Sequence, residues 1–185
     1  MCVAIPAIAQ RGAITRPVSL AQLASHAEVI VRGQVIRARI ERHPQEKRMW
    51  TVVVTLRVEE ALKGSVGEEY TFRQFIWDAR DRATAAGYRK GQLLLLLMNK
   101  TTPHGLTSPT GLGQGCFQLT RDRTGREWAV NGYRNAGLFH GLDEDLPRRG
   151  IRLPQPLASL VSEHRAGPVS RDDLSELIRR IVRSD

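Results

Sequence analysis

The sequence has few of the residues that hold small secreted folds and metal sites together. Its 185 residues include two cysteines, Cys2 and Cys116, which are too few for a disulfide framework. We therefore expect a hydrophobic core to stabilise the fold, with Cys116 packed as a small apolar side chain. The five histidines lack the short mutual spacing typical of metal ligands, and none lies beside a cysteine. The sequence thus predicts no metal site.

Long apolar runs and catalytic motifs are also missing. The longest apolar run, Leu93 to Met98, is far shorter than the roughly 20 residues that cross a bilayer, so no transmembrane segment is predicted. There is no GxSxG motif for a serine nucleophile. The glycine-rich stretch from Gly111 to Gly115 precedes a predicted strand instead of opening a helix, which indicates a tight turn and not a phosphate loop. We predict no catalytic residue and no cofactor, and expect that the chain is not an enzyme.

The charge is strongly basic, at +9 from 28 basic and 19 acidic residues. Only four of the basic residues are lysines, and the arginines are scattered along the whole chain. Two interpretations stay open. The arginines can form a diffuse solvated surface, which we favour, or they can neutralise a polyanion such as nucleic acid.

The clearest secondary-structure signal is the stretch from Thr51 to Gly64. Val52, Val54, Leu56 and Val58 alternate with a second set of side chains, as in a strand with two different faces. Similar patterns predict further strands at 28–40, 69–75, 116–120 and 127–133. The unbroken leucines at 92–98 predict a central strand that is buried on both faces. The apolar positions of the first strand change parity after Gly33, which predicts a bulge or bend.

These patterns predict a mainly β protein, a five-stranded OB-like barrel with flanking helices. Ser19 is expected to cap a short amino-terminal helix, and an amphipathic helix closes the chain with Leu174, Leu177 and Ile178 on one face. We divide the chain into a tail (1–18), the barrel domain (19–142), and a loop with the carboxyl-terminal helical extension (143–185).

The first 18 residues are interpreted as the remnant of a signal peptide or as a flexible tail. The segment MCVAIPAIAQ is apolar, and its Ala7 and Ala9 have the spacing of a secretory cleavage site after Ala9. A remnant of this kind predicts a secreted or periplasmic protein. A cytoplasmic location is the alternative, with the segment a loose tail.

Aromatic residues concentrate around the second and third strands, with arginines between them. The predicted ligand-binding surface consists of Trp50, Arg73, Phe75, Trp77 and Arg80. Rings beside guanidinium groups are typical of surfaces that bind single-stranded nucleic acid or sugars. The alternative is that the rings close the ends of the barrel and that the arginines shield them, and we prefer it.

The order of the motifs SLAQL, HAEVIVRGQVI, TVVVTLRVEEALKG, GQLLLLL and GQGCFQL resembles a group of secreted bacterial domains similar to the netrin and metalloprotease-inhibitor (TIMP) OB-folds. The resemblance covers about residues 19 to 120. It rests on residues of structural type: Val29, Val31, Gly33, Val35, Thr51, Val58, Leu62, Lys63, Gly64, Gly91, Leu95 and Gly115. It implies a barrel in an exported protein. The amino-terminal cysteine and disulfides with which TIMP proteins inhibit proteases have no counterpart after Ala9, so that activity is not implied.

Together these observations predict an exported, non-enzymatic OB-like domain that binds a protein or a component of the cell envelope. The alternative is an intracellular OB-fold protein that binds single-stranded nucleic acid through Trp50, Arg73, Trp77 and nearby arginines. The oligomeric state is left open.

Overall fold

One antiparallel sheet organises the computed structural model, which describes residues 17–77 and 79–185. Its strand order is β3-β2-β1-β4-β5-β6-β7. The strands are β1 (Val29–Arg42), β2 (Trp50–Lys63), β3 (Glu69–Phe75), β4 (Leu93–Met98), β5 (Cys116–Arg121), β6 (Glu127–Asn131) and β7 (Val169–Ser170). The helices are α1 (Leu20–His26), α2 (Ala79–Thr84), α3 (Leu142–Arg148), α4 (Gln155–Glu163) and α5 (Arg171–Ser184), with 3-10 turns at Ala85–Gly87 and Leu112–Gln114.

The predicted mainly β class is confirmed, but the prediction of a closed five-stranded barrel is wrong. A barrel would pair β3 with a late strand. Here β5 pairs with β4 and β6, and β6 continues the sheet to β7, so the sheet stays open. The loop after β4 nevertheless contacts the outer edge of β3, where the Thr107 backbone N–H donates to the carbonyl oxygen of Arg73 (2.8 Å). The sheet is therefore curled without being closed by a strand.

The bend predicted at Gly33 is confirmed. The pairing of β1 with β2 shifts register beside Gly33 and again between Val35 and Arg37. A Cβ atom at Gly33 would collide with the carbonyl oxygen of Arg57 on the neighbouring strand, so the close approach of the two strands requires glycine. After the second shift Ala38 and Ile40 lie on the same face as Val35, which explains the change of parity in the sequence.

Strand β4 separates two hydrophobic clusters, one on each face of the sheet. Leu95 and Leu97 belong to the first cluster, which the helices α1, α3, α4 and α5 cover. Leu94 and Leu96 belong to the second cluster, with the inner side chains of β1 and β2 and the buried Tyr88. Burial of β4 on both faces confirms the prediction made from its unbroken leucines.

The two predicted terminal helices are confirmed as α1 and α5. Ser19 caps α1, because its hydroxyl accepts from the Gln22 N–H (3.4 Å) while the Gln22 side chain accepts from the Ser19 N–H (3.2 Å). The apolar side chains of α5 pack on the first cluster. At the start of α5 the Ser170 side chain makes no cap hydrogen bond and is buried at the end of β7.

A second correction concerns the beginning of the region 143–185, where the domain division places a loop. The structure places α3 there, with Leu142 and Leu146 fully packed in the first cluster. The predicted signal remnant or tail lies almost entirely outside the described residues. Of that segment the structure describes residues 17 and 18, and the Val18 N–H donates to the side chain of Gln114 (2.8 Å).

Candidate binding surface

The five residues of the predicted surface lie at one end of the β2–β3 hairpin but on different faces of the sheet. Thr51 pairs with Phe75 and Val53 pairs with Arg73, so Phe75 and Arg73 share the outer face. Trp50 precedes Thr51 by one residue, so it points to the opposite, inner face, where it packs against the second cluster. The structure therefore brings Arg73 and Phe75 together and separates Trp50 from both.

Arg73 is already engaged by its neighbours. Its guanidinium group donates to the carboxylate of Glu41 (2.6 Å) and to the hydroxyl of Thr51 (2.8 Å). Arg39 also pairs with Glu41 (2.8 Å). The hydrogen bond from Arg73 lowers the pKa of Glu41, against the opposing effect of desolvation, and the nearby charges of Arg73 and Arg39 lower it further. Arg73 thus organises the outer face of the hairpin, with its donors directed at residues of the same sheet.

Trp77 is the most exposed large hydrophobic side chain among the described residues, at 72% exposure. It lies two residues after the end of β3, and its ring stands edge-on against that of Phe75, with centroids 5.0 Å apart. This contact restricts the Trp77 side chain, although most of it faces solvent. Arg80 lies nearby in sequence on α2 and its side chain is exposed.

Two arginine side chains lie against the Trp50 ring on the inner face. The guanidinium carbon of Arg42 lies 3.8 Å from the centroid of the Trp50 ring, and that of Arg82 lies 5.3 Å from it. Arg42 also donates to the carbonyl oxygen of Arg48 in the β1–β2 turn (3.0 Å). In the described part of the chain no carboxylate forms an ion pair with Arg42, Arg48 or Arg82, and all three side chains are exposed.

Arg42 is a member of this surface that the sequence reasoning missed. It pairs directly with Trp50 in the register of β1 with β2, which places both side chains on one face. The sequence could have identified this pair, because Arg42 and Trp50 lie at similar distances from the centre of the short polar turn that joins β1 to β2. The register shifts of β1 lie farther from the turn, and the pairing is regular from Arg37 opposite Thr55 to Arg42 opposite Trp50.

The predicted packing role of Cys116 is confirmed. Its side chain is buried in the second cluster, and desolvation raises the pKa of the thiol to about 12. A thiol with that pKa carries almost no nucleophilic thiolate near neutral pH. His43 is also buried, in the β1–β2 turn. Its Nδ1 accepts from the Glu46 N–H (3.0 Å), so its Nε2–H donates to the carbonyl oxygen of His104 (2.8 Å), which ties the turn to the loop after β4.

The glycine-rich stretch 111–115 forms the predicted tight turn. Leu112 has a φ of +57°, and a Cβ atom at Gly115 would collide with the carbonyl oxygen of Thr110. The turn leads into β5 and holds the backbone close to β4. Within residues 17–77 and 79–185, no three His, Cys, Asp or Glu side chains are grouped so that they could hold a metal ion.

A second charged cluster joins the sheet to α5. The Glu127 carboxylate is almost fully buried and contacts Arg121 (2.9 Å), Arg171 (3.0 Å) and Arg32 (3.4 Å). Desolvation acts to raise the pKa of Glu127, but hydrogen bonds from Arg121 and Arg171 outweigh it, so the pKa is lowered. Arg179 of α5 pairs with Glu60 of β2. These side chains bind one another, so the cluster is structural.

Comparison with protein-family models, with curated proteins and with solved structures found no match to this chain. None of the helices in the described ranges combines the length and the apolar character that a membrane span needs.

Proposed function

We propose that this chain is a non-enzymatic, exported binding module that holds a protein or a cell-envelope component at the open end of the β2–β3 hairpin. The observation that carries the proposal is Trp77. An indole ring that leaves 72% of its surface in water contributes little to the fold, and exposed aromatic side chains are enriched where proteins bind partners.

The neighbourhood of Trp77 supports the same surface. Phe75 restricts the indole ring, so a partner has to immobilise little further side-chain freedom. Arg73, Thr51 and Glu41 make the strand beneath it rigid. The catalytic alternative is not favoured, because the one described cysteine is buried with a raised pKa and the polar clusters satisfy one another.

The test is binding of the purified chain to isolated cell envelopes, compared with the variant Trp77→Ala. We expect the substitution to weaken binding about tenfold or more, as for an interface hot spot. The matched control is Tyr133→Ala, which removes the other exposed large hydrophobic side chain (37% exposed) at a distant loop. Equal binding of all three proteins, or recovery of the native chain only from the cytoplasm on cell fractionation, would contradict the proposal.

Binding of single-stranded nucleic acid is the second candidate, and the cations around Trp50 favour it. A phosphodiester backbone would neutralise them, and Trp77 offers one ring for a base. Fluorescence anisotropy with a labelled oligonucleotide tests this candidate. Affinity that falls steeply as salt rises supports it, whereas no affinity at low salt removes it.

A further inference from the structure

One end of the sheet carries an exposed ring, which packs on Phe75 of the outer face, and cations around Trp50 on the inner face that pair with no carboxylate among the described residues. We call Arg42, Arg48, Arg82 and Trp77 the hairpin-end patch. The Ile76 N–H donates to the carbonyl oxygen of Trp50 (3.0 Å), which fixes the beginning of β2 against the end of β3. Trp77 therefore begins beside the strand end at which Arg42 and Arg82 contact the Trp50 ring.

The cations of the patch differ from Arg39 and Arg73, which lie on the outer face of β1 and β3. Arg73 and Arg39 share the carboxylate of Glu41. Arg42, Arg48 and Arg82 have no carboxylate partner within the described residues.

Arg42 and Arg82 also repel each other. Their guanidinium groups approach the same ring, so their charges lie within about 10 Å, roughly one Debye length at 0.1 M salt. An anion that contacts both groups would relieve this repulsion.

The shape of the patch favours a flat anionic surface over a strand of nucleic acid. Single strands are bound in grooves where several rings stack on successive bases. Here Arg42 already covers the ring of Trp50, which leaves Trp77 as the one ring of the patch that is mostly exposed. A single protruding indole beside several cations suits a lipid surface, since tryptophan settles at the headgroup level and basic side chains meet lipid phosphates.

We propose that the hairpin-end patch binds an anionic phospholipid surface, with Trp77 entering the headgroup layer and Arg42, Arg48 and Arg82 contacting lipid phosphates. This inference rests on the proposed function and names the envelope component. Each arginine near an anionic bilayer changes the partition coefficient by about fivefold. Removal of all three is therefore expected to weaken binding on the order of 100-fold.

The test uses the full chain with vesicles of phosphatidylcholine alone and of phosphatidylcholine mixed with phosphatidylglycerol. We expect sedimentation with the mixed vesicles only, loss of binding at high salt, and a blue shift of tryptophan fluorescence that Trp77→Ala abolishes. The patch variant combines Arg42→Gln, Arg48→Gln and Arg82→Gln. Its matched control combines Arg123→Gln, Arg152→Gln and Arg183→Gln, which removes the same charge from exposed positions on other elements.

The inference is overturned if the control variant loses as much binding as the patch variant, because net charge alone then drives association. It is also overturned if neutral vesicles bind equally well, or if an oligonucleotide binds more tightly than the mixed vesicles and loses its affinity in the patch variant. Circular dichroism and thermal unfolding of every variant show whether a loss of binding reflects misfolding. Arg48→Gln alone is the milder variant, which tests the patch with a single substitution.

Cell envelopes treated with protease separate this inference from the proposed function. Binding that survives the treatment supports lipid as the ligand. Binding to intact envelopes that disappears after proteolysis overturns the lipid assignment and leaves a protein partner at Trp77. Absence of binding to either preparation removes both proposals.

Discussion

Two regions on one face of this sheet, the face opposite the second cluster, are shielded from water in different ways. Over β4, β5 and β6 this outer face is covered by helices, whose apolar side chains complete the first cluster. Near the start of β2, Val53 belongs to neither cluster, yet it is only 7% exposed. Val53 lies between Arg39 and Arg73 in the register of the three strands. The aliphatic stems of arginine can cover a valine while their charged ends stay in water.

The comparison shows that burial in this protein does not require a covering element. Thr51 and Thr55 are also buried on the outer face, where Thr55 shares a hydrogen bond with Thr71 (3.0 Å) and Thr51 bonds to Arg73. The region over β4, β5 and β6 is thus committed to the core, whereas the region over the start of β2 keeps polar groups at its surface. An outer face of this kind remains available to a partner without exposing the core.

The largest expected difference between the two regions is in stability. Leu177→Ala removes a fully buried side chain from α5, and we expect a loss of about 3 kcal/mol in the free energy of unfolding from lost burial and the residual cavity. Val53→Ala on the outer face should cost about 1 kcal/mol, because the flexible arginines can settle over the smaller side chain. Urea unfolding of both variants measures the two losses. Losses of equal size would show that the outer face is packed as rigidly as the core.

The same comparison explains which parts of the fold the sequence could predict. Alternation along β2 and the unbroken leucines of β4 specify locally which side chains are buried, so both strands and their buried faces were predicted. The apolar stripe of α5 likewise predicted a helix with one buried face. The open sheet was not predicted, because closure depends on which edge β5 meets. That choice is made by the β5–β6 hairpin and by Val169 of β7, which lie far apart in the chain.

The candidate surface was predicted only in part, for a related reason. Sequence proximity grouped Trp50 with Arg73 and Phe75, but pleating places Trp50 on the other face. The exposure of Trp77 and its contact with Phe75 could not be read from the sequence, since a tryptophan after a strand is equally compatible with a buried ring. Arg42 was missed although it lies directly opposite Trp50 across the β1–β2 turn, with no register shift between the pair and the turn.

A difference of similar size is expected between the two ion clusters. Glu127→Gln leaves Arg171 and Arg32 beside a neutral, buried side chain, and we expect a loss of about 3 kcal/mol, as when a buried ion pair loses one partner. Glu41→Gln removes the corresponding charge from the outer face. Its carboxylate is 32% exposed and water can solvate the released arginines, so we expect a loss of about 1 kcal/mol or less. Thermal and urea unfolding at neutral pH compare the variants. A greater loss of stability for Glu41→Gln would show that the ion cluster around Glu41, and not the one around Glu127, is the structural cluster.

The smallest expected effect is a change in the pKa of Glu41. In the native chain the hydrogen bond from Arg73 holds this pKa below its ordinary value of 4.5. A carboxyl whose pKa is lower in the folded than in the unfolded state stabilises the fold above the unfolded pKa, and this contribution is lost as the pH falls through the folded pKa. Arg73→Gln removes both the hydrogen bond and one nearby charge, so the pKa of Glu41 should rise and the acid-dependent part of the stability should shrink.

Arg39→Gln is the matched control for this change. Arg39 also pairs with Glu41 (2.8 Å), but it is 56% exposed and affects the pKa of Glu41 less than Arg73 does. Carboxyl chemical shifts of Glu41 followed by NMR through the acid range should therefore rank the pKa values as native lowest, Arg39→Gln next and Arg73→Gln highest. If Arg39→Gln raised the pKa more than Arg73→Gln did, Arg39 would be the main partner of Glu41. The guanidinium group of Arg73 would then be available on the outer face beside Phe75, and the binding surface would extend from the hairpin end along β3.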